Sequence, residues 1–210
     1  MNKLIEICEA VQKGKTKLVK QLVPEALEAG FPAQEILNQA LLAGMDIVGT
    51  KFRNNEIFVP EVLVAARAMN AGVAILKPHL TSSDVQAKGR VCIGTVKGDL
   101  HDIGKNLVKM MLEGKGLEVI DLGVDVSPEQ FVQAAIDHSC DIICCSALLT
   151  TTMPVMGDVV KAAEAAGIRA KVKIMVGGAP VTPEFCASIG ADAYTPDAAT
   201  CAARAVELIG

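Results

Sequence analysis

The first 80 residues carry apolar side chains at the three- and four-residue spacing of amphipathic helices. Such stripes run through three stretches, 18–23, 36–48 and 62–76. Glycine, proline and asparagine interrupt the pattern at 14–15, 29–32 and 54–56. Helices joined by connections this short usually pack side by side in alternating directions. We therefore predict an antiparallel four-helix bundle over residues 1–80.

A polar stretch of small residues at 81–89 separates this half from a second pattern, and we predict a linker there. Beyond it, short strand-like runs alternate with helical runs. The strand-like runs are 91–97, 117–121, 141–145, 172–176 and 192–194. The helical runs are 103–114, 127–138, 154–166, 182–189 and 197–208. This alternation predicts an α/β domain over 90–210, with a five-stranded parallel sheet of the flavodoxin-like or Rossmann-like class.

Composition narrows the functional classes. Of the 210 residues, 51% are hydrophobic and only 3% aromatic, which means that small aliphatic side chains must build the core. The net charge of −4 argues against a nucleic-acid partner, because such partners require a basic surface. No apolar run approaches the roughly 20 residues of a membrane span, and the first residues lack the layout of a signal peptide. We expect a cytoplasmic protein with no membrane partner.

The seven cysteines form no Cys-x-x-Cys pair and show no zinc-finger spacing. Three of them, Cys92, Cys144 and Cys145, lie in strand-like runs. A free thiol in such a position usually behaves as a small buried hydrophobe. This cysteine usage fits a reducing compartment.

The run from Gly98 to Gly104 follows the first strand-like segment and leads into a helical one. Ligands of open α/β folds bind at this edge of the sheet. Within the run, Asp99 and His101 suit a metal-ligating imidazole whose second ring nitrogen is held by a carboxylate. The glycines do not fit the Gly-x-Gly-x-x-Gly of a dinucleotide site. The spacing from Gly98 to Gly104 is also one residue too long for a phosphate-binding P-loop, and Asn106 replaces its hydroxyl.

Two other strand ends carry residues that belong at the same edge. The third strand-like run is followed by Ser146 and, through 150–152, by three threonines, and the fourth is followed by Gly177 and Gly178. Hydroxyls and paired glycines there would line one crevice, since glycine lets the backbone approach a bulky group. Taken alone, the threonines are equally compatible with helix capping and the glycines with an ordinary turn.

These motifs together resemble the cobalamin-binding domains of B12-dependent methyltransferases and mutases. Asp99-x-His101-x-x-Gly104 is followed after 41 residues by Ser146-x-Leu148, and after 28 more by Gly177-Gly178. The helical half is similar to the cap that precedes this domain in methyltransferase corrinoid proteins, notably in 44–49 and 58–63. Mutases lack that cap, which favours the methyl-transfer branch.

The resemblance implies a corrinoid bound with its nucleotide tail displaced from cobalt (base-off) and a protein histidine in its place (His-on). His101 matches that lower axial ligand, Asp99 matches the carboxylate on its other nitrogen, and Thr152 matches the hydroxyl that ends the proton relay. The further cofactor-binding residues predicted around them are Asp102, Ile103, Gly104, Ser146, Leu148, Thr150, Gly177 and Gly178. The helical half is expected to cover the upper face of the corrinoid, with 81–89 as the hinge.

The function implied is that of a methyl carrier, inactive without partners. Its cobalt(I) would accept a methyl group from a substrate-specific methyltransferase. A second methyltransferase would pass the group to tetrahydrofolate or coenzyme M. An ATP-dependent reductive activator is a further expected partner. The sequence indicates neither the methyl donor nor the acceptor, nor the lower base of the corrinoid.

Three other functions were weighed. A cobalamin-dependent sensor of the same fold usually needs a DNA-binding domain, whereas the only charged residues in 33–50 are Glu35 and Asp46. A phospho-accepting receiver needs an aspartate at the end of the third strand, where this chain has Cys145-Ser146. A zinc site built from the three histidines lacks ligand spacing. Those histidines are His79, His101 and His138.

Overall fold

The computed structural model describes residues 3–80 and 87–210. The chain divides into two compact units, one formed mainly by the residues before 87 and the other mainly by those from 87 onward. Of the predicted linker, residues 81–86 lie outside the described residues. Residues 87–89 carry neither helix nor strand and lead into the first strand at Arg90.

The first unit consists of four helical segments, which confirms the helical bundle predicted from the apolar pattern. Its elements are α1 (Lys3–Gln12), α2 (Thr16–Glu28), α3 (Ala33–Ile36), a π-helical stretch (Leu37–Leu42), α4 (Ala43–Arg53), α5 (Val59–Leu76) and a 3₁₀ turn (Lys77–His79). The third segment runs from α3 through the π-helical stretch into α4 without interruption. The segments end where glycine, proline and asparagine interrupt the sequence pattern.

Small side chains let the helices of this unit approach closely. A Cβ atom at Gly72 on α5 would lie 2.7 Å from Leu41 and 3.1 Å from Val19. On the same helix, Ala65 and Ala68 are fully buried. A core of close-packed small residues is what the scarcity of aromatic side chains requires.

Residues 59–79 correct one expectation from the sequence. They form a helix of 21 residues with a mean hydropathy of 1.5, which is long and apolar enough to cross a membrane by length and composition alone. The sequence pattern was broken by Glu61 and Arg67, and these two charges hid the overall hydropathy of the run. In the structure one side of this helix packs against α1, α2 and α4. The core helix of a bundle has the same composition.

The second unit is a five-stranded parallel sheet with helices on both faces, which confirms the predicted fold class. Its elements are β1 (Arg90–Thr95), α6 (Ile103–Gly114), β2 (Glu118–Asp121), α7 (Pro128–Asp137), β3 (Ile142–Ser146), α8 (Pro154–Ala165), β4 (Lys173–Gly177), α9 (Pro183–Ser188), β5 (Ala193–Tyr194) and α10 (Ala198–Ile209). The strand order is β2-β1-β3-β4-β5, all parallel. The order reverses between β1 and β3, and ligands bind at such a switch point.

The two faces of the sheet differ in what they bury. On one face Cys92, Ile143 and Phe131 belong to a continuous apolar core beneath α7 and α8. On the other face the adjacent register partners are Ile93, Cys144 and Met175. These three side chains line a cavity together with residues of α6 and α10. The packed face fixes the position of the sheet, and the other face borders the cavity.

Gly94 in β1 provides a test of the packed face. A Cβ atom there would lie 2.9 Å from the fully buried ring of Phe131. We expect Gly94→Ala to lower the free energy of unfolding by about 1–3 kcal/mol, because the core must shift to admit the methyl group. Urea denaturation measures it.

Gly104→Ala is the matched control, since a Cβ atom there has nothing within 4 Å. Its position in the first turn of α6 should make it neutral or stabilising, because alanine exceeds glycine in helix propensity by up to about 1 kcal/mol. Equal stability of the wild type and Gly94→Ala would contradict the packing described.

Candidate functional site

The loop after β1 turns sharply and buries Asp99. The Asp99 N–H donates to the carbonyl of Val96 at 3.1 Å, and Gly98 between them has φ +84°, a left-handed conformation that favours glycine. The fully buried hydroxyl of Thr95 donates to the carbonyl of His101 at 2.8 Å. The loop is thus tied at both ends, with Asp99 pointing inward and the His101 side chain 54% exposed.

The buried carboxylate of Asp99 is saturated with hydrogen-bond donors. Its Oδ1 accepts from the His101 N–H at 3.1 Å and lies 2.9 Å from His101 Nδ1. Its Oδ2 accepts from the N–H groups of Leu148 and Leu149 at 2.8 and 3.2 Å. The Thr152 hydroxyl also donates to Oδ2, at 2.9 Å. A fully buried charge is tolerated only where it is compensated in this way.

These bonds keep Asp99 ionised. Burial alone raises the pKa of Asp99, but the bonds from Leu148, His101 and Thr152 outweigh it and hold the pKa well below its ordinary value. An anionic carboxylate beside Nδ1 favours the neutral imidazole tautomer with its proton on that nitrogen. The lone pair then lies on Nε2 of the half-exposed ring. The arrangement leaves Nε2 of His101 available to bind a ligand.

The Thr152 hydroxyl has two acceptors and one hydrogen. Besides Asp99 Oδ2, its Oγ1 lies 2.9 Å from the carbonyl oxygen of Leu149. While Asp99 is charged, the hydroxyl proton points to the carboxylate, because a charged acceptor is stronger. If Asp99 gains a proton, the hydroxyl can accept from it and turn its own proton to Leu149. The arrangement can hold one additional proton without leaving an unpaired buried donor.

Asp125 is a site residue that sequence analysis missed. Its Oδ1 accepts from the Gly98 N–H at 2.7 Å, and its own N–H donates to the Asp99 carbonyl at 3.0 Å. Asp125 has φ +57°, a conformation that aspartate tolerates better than most residues. The loop after β2 thus holds the loop that carries Asp99 and His101. In the sequence, only its position four residues after the end of a strand could have pointed to Asp125.

A buried ion pair fixes the loop after β2 in turn. Lys105 is 2% exposed, and its Nζ donates to Asp121 Oδ1 at 2.6 Å. The same oxygen accepts from the Gly123 N–H at 3.0 Å. A lysine in the first turn of a helix opposes the helix dipole, and the pairing with Asp121 compensates for it. The chain of contacts runs from Lys105 through Asp121 to the segment that carries Asp125.

A cavity of about 330 Å³ opens between the sheet and the helices α6 and α10. Of the predicted site residues, Gly104, Ser146, Gly177 and Gly178 line it. Gly178 has φ +133°, and a Cβ atom there would overlap the carbonyl of Ala147. A Cβ atom at Gly177 would meet only the carbonyl of Thr195, at 3.8 Å. The backbone at position 178 therefore accepts only glycine, whereas the absence of a side chain at Gly177 keeps space open in the cavity.

The remaining predicted residues have other surroundings. The Asp102 carboxylate lies just before α6, and its Oδ2 accepts a hydrogen bond from Asn106 Nδ2 at 3.1 Å. Ile103 is 79% exposed and Leu148 44%, and Thr150 is exposed in the turn before α8. Leu100, which sequence analysis did not single out, is 71% exposed. Exposed apolar side chains next to the His101 imidazole form a surface suited to an apolar ligand. The cavity residues that sequence analysis missed include Tyr194, Thr195, Asp197 and Cys201.

Comparison with known proteins agrees with this geometry. Residues 89–205 match the family described as B12 binding domain, and residues 5–77 match a second family of the same description. The chain belongs to the B12-binding protein family. Family membership confirms the resemblance predicted from the sequence, and it assigns the chain a B12-type corrinoid as its cofactor.

Relatives of this B12-binding protein include methylamine corrinoid proteins. It is 41% identical over 206 residues to dimethylamine corrinoid protein 3 of Methanosarcina acetivorans, covering 98% of this chain and 96% of that one. It is 42% identical over 188 residues to the trimethylamine corrinoid protein of Methanosarcina barkeri, covering 89% and 87%.

A solved structure of the methanol:cobalamin methyltransferase complex from Methanosarcina barkeri aligns with a TM-score of 0.91 at 30% identity. The alignment covers 99% of this B12-binding protein and 79% of that chain. A cobalamin-binding protein from Desulfitobacterium hafniense aligns with a TM-score of 0.82 at 30% identity, covering 99% and 98%.

The ionised Asp99 of this B12-binding protein predicts a specific acid sensitivity. Because the folded-state pKa is lowered, Asp99 contributes stability that is fully present above the unfolded-state pKa of about 3.9. That contribution is lost as the pH falls from there through the folded-state pKa. At pH 7 we expect Asp99→Asn to lower the unfolding free energy by about 3 kcal/mol. The amide NH2 of asparagine would face buried groups that are themselves hydrogen-bond donors.

The difference between wild type and Asp99→Asn should shrink as the pH falls below 4, and denaturant unfolding at a series of pH values measures it. Asp158→Asn is the control, because that carboxylate on α8 is 55% exposed. It should follow the wild type throughout. A constant difference between wild type and Asp99→Asn at all pH values would show that Asp99 is not a buried anion.

The role of Asp125 can be separated from its backbone conformation by three variants. Asp125→Asn keeps an acceptor for the Gly98 N–H, Asp125→Gly keeps only the left-handed backbone, and Asp125→Ala keeps neither. We expect stability losses of near zero, about 1 kcal/mol and about 2 kcal/mol, as the hydrogen bond and then the relaxed backbone are lost. Amide exchange of Gly98, followed by NMR, should accelerate in the last two. Equal behaviour of the Asn and Gly variants would rule out the acceptor role.

Proposed function

We propose that this protein is a corrinoid-binding methyl carrier that works between two methyltransferases. The observation that carries the proposal is the pairing of a half-exposed imidazole with a buried, ionised carboxylate, beside a cavity at the switch point of the sheet. Membership of the B12-binding family supplies the ligand for that geometry. When bound, the corrinoid supplies a cobalt centre that can take up and release a methyl group.

The residues present fit that cofactor bound in the base-off, His-on form. His101 would hold the cobalt through Nε2, and Asp99 would fix the tautomer of its ring. The nucleotide tail, displaced from cobalt, would occupy the cavity that Gly104 and Gly177 leave open. The exposed side chains of Leu100 and Ile103 would contact the apolar corrin.

The protein's chemical contribution is to couple axial ligation to a proton. Cobalt held by His101 would supply a Lewis-acidic centre, and Asp99 holds the Nδ1 side of that imidazole in place. The pair His101–Asp99 can hold one additional proton, because the Thr152 hydroxyl can accept it from Asp99 and turn its own proton to the carbonyl of Leu149. We therefore propose Asp99 and Thr152 as the proton relay of the site.

We propose methylamines as the class of methyl donor. The relatives at 41–43% identity are named dimethylamine and trimethylamine corrinoid proteins, whereas the methanol system aligns at 30%. A substrate-specific methyltransferase would load the methyl group, and a methylcorrinoid:acceptor methyltransferase would remove it to coenzyme M or tetrahydrofolate. An ATP-dependent reductive activator would restore the reactive cobalt state. We propose that this exchange takes place in the cytoplasm.

Replacement of His101 separates the axial ligand from the tail cavity. We expect His101→Ala to retain hydroxocobalamin after desalting, with an affinity within about tenfold of wild type, because the tail contacts are untouched. Its absorbance spectrum should change to that of a corrinoid without an axial imidazole. His138→Gln is the control, since that histidine lies at the end of α7. An unchanged spectrum in His101→Ala would contradict the ligand assignment, and a colourless variant would contradict the tail cavity.

A further inference from the structure

We propose that Cys144 and Cys201, on the wall of the cavity, are a modification site at which a hydroperoxide converts two thiols to a disulfide in the corrinoid-free protein. The bound corrinoid tail would shield the pair, and this part rests on the function proposed above. The proposal goes beyond the expectation that the strand cysteines are only buried hydrophobes.

The two thiols come from different elements and meet in the cavity. Cys144 lies in the middle of β3, and its register neighbours Ile93 and Met175 line the same cavity. Cys201 lies in the first turns of α10. The two side chains are within hydrogen-bonding reach of each other. Each residue is largely buried in the protein, at 4% and 7% exposure, and reagents would reach both through the cavity.

Their surroundings make the two thiols unequal. The hydrogen bond from Cys144 lowers the pKa of Cys201 more than burial raises it, and the Thr195 hydroxyl lowers it further. The hydrogen bond with Cys201 and burial raise the pKa of Cys144. The Thr195 hydroxyl is a further hydrogen-bond partner of Cys201, and we therefore assign Cys201 as the attacking thiol, because the thiolate is the nucleophile. Cys144 is the resolving thiol.

The reaction balances with one hydrogen peroxide as the oxidant, and an organic hydroperoxide would release an alcohol in place of the first water. The Cys201 thiolate attacks the nearer peroxide oxygen, the O–O bond breaks, and the leaving hydroxide takes a proton to become water. The sulfur of Cys144 then attacks the sulfenic acid sulfur of Cys201. The S–S bond forms as the S–O bond breaks, and a second water leaves with the Cys144 proton. Both thiols lose one electron each, and the peroxide gains two.

The disulfide would change the cavity. It brings the two sulfurs to about 2.0 Å, which is shorter than hydrogen-bonding distance between thiols. Because one sulfur belongs to β3 and the other to α10, the bond draws two walls of the cavity together. The oxidised protein should therefore admit the corrinoid tail less well than the reduced protein.

The chain contains a matched internal control in Cys92 and Cys140. These thiols are also within hydrogen-bonding reach of each other, and their sulfurs lie 3.9 and 3.8 Å from the carbonyls of Phe131 and Ala134. Their exposures, 0% and 5%, are similar to those of the cavity pair. They belong to the packed core on the other face of the sheet and do not line the cavity. The two pairs differ in that only Cys144 and Cys201 line the cavity.

The experiment treats corrinoid-free and hydroxocobalamin-loaded full-length protein with hydrogen peroxide, alkylates the remaining thiols, and maps the peptides by mass spectrometry. We expect a peptide linking Cys144 to Cys201 in the corrinoid-free protein and its loss in the loaded protein, with Cys92 and Cys140 reduced in both. Equal oxidation of the two pairs, or free thiols at Cys144 and Cys201, would overturn the proposal. If the loaded protein kept its corrinoid and still formed the Cys144–Cys201 disulfide, the proposed shielding by the corrinoid tail would be wrong.

A second measurement follows hydroxocobalamin uptake by absorbance. Oxidation of the wild type should weaken uptake by at least about tenfold, and dithiothreitol should restore it. Restoration excludes sulfoxide formation at Met175, which dithiothreitol does not reverse. In Cys201→Ser, peroxide should leave the affinity of the variant unchanged from its own untreated value. Failure of the reduced wild type to bind any corrinoid would overturn the proposed function. The disulfide in the corrinoid-free protein is tested independently, by the peptide mapping.

Discussion

The buried carboxylate of Asp99 is the interaction on which the site depends. It lies in the loop after β1, and four of its five donors are backbone or hydroxyl groups of fixed loops. Removing a partner from a buried charge costs about 3–5 kcal/mol, which means that the loops after β1 and β3 cannot separate without a large penalty. The His101 imidazole is the fifth donor. Its orientation is therefore set by the same network that keeps the carboxylate charged.

Close backbone approach supplies the other constraint. Gly178 stands against the carbonyl of Ala147, where no side chain fits, and this contact joins the ends of β3 and β4. Beside it, Gly177 and Gly104 leave space in the cavity. Gly178 thus shapes the edge of the sheet, whereas Gly177 and Gly104 leave room for a ligand. The positions of the imidazole and of the cavity follow from the strand order, because β1 and β3 are neighbours at the switch point.

Much of the fold could be predicted from the sequence, because strands and helices of this chain have clear periods and clear breaks. The motif around Asp99 and His101 was equally visible, since its residues are close in sequence and of the right chemical types. Asp125 was not, because its role depends on a tertiary contact with Gly98 that no spacing encodes. The pairing of Cys144 with Cys201 was hidden for the same reason, since 56 residues lie between them in the sequence. The hydropathy of α5 was underestimated because two charges interrupt it.

The central claim is that His101 donates a ring nitrogen to cobalt in the loaded protein. The most direct test is the EPR spectrum of the cobalt(II) form, prepared once from ordinary protein and once from protein carrying 15N in its histidine rings. Ligation by a protein imidazole predicts that the nitrogen splitting changes from a triplet to a doublet upon labelling, since 14N has spin 1 and 15N spin one-half. A triplet in both samples would show that the cofactor's own base is the ligand, and it would contradict the account.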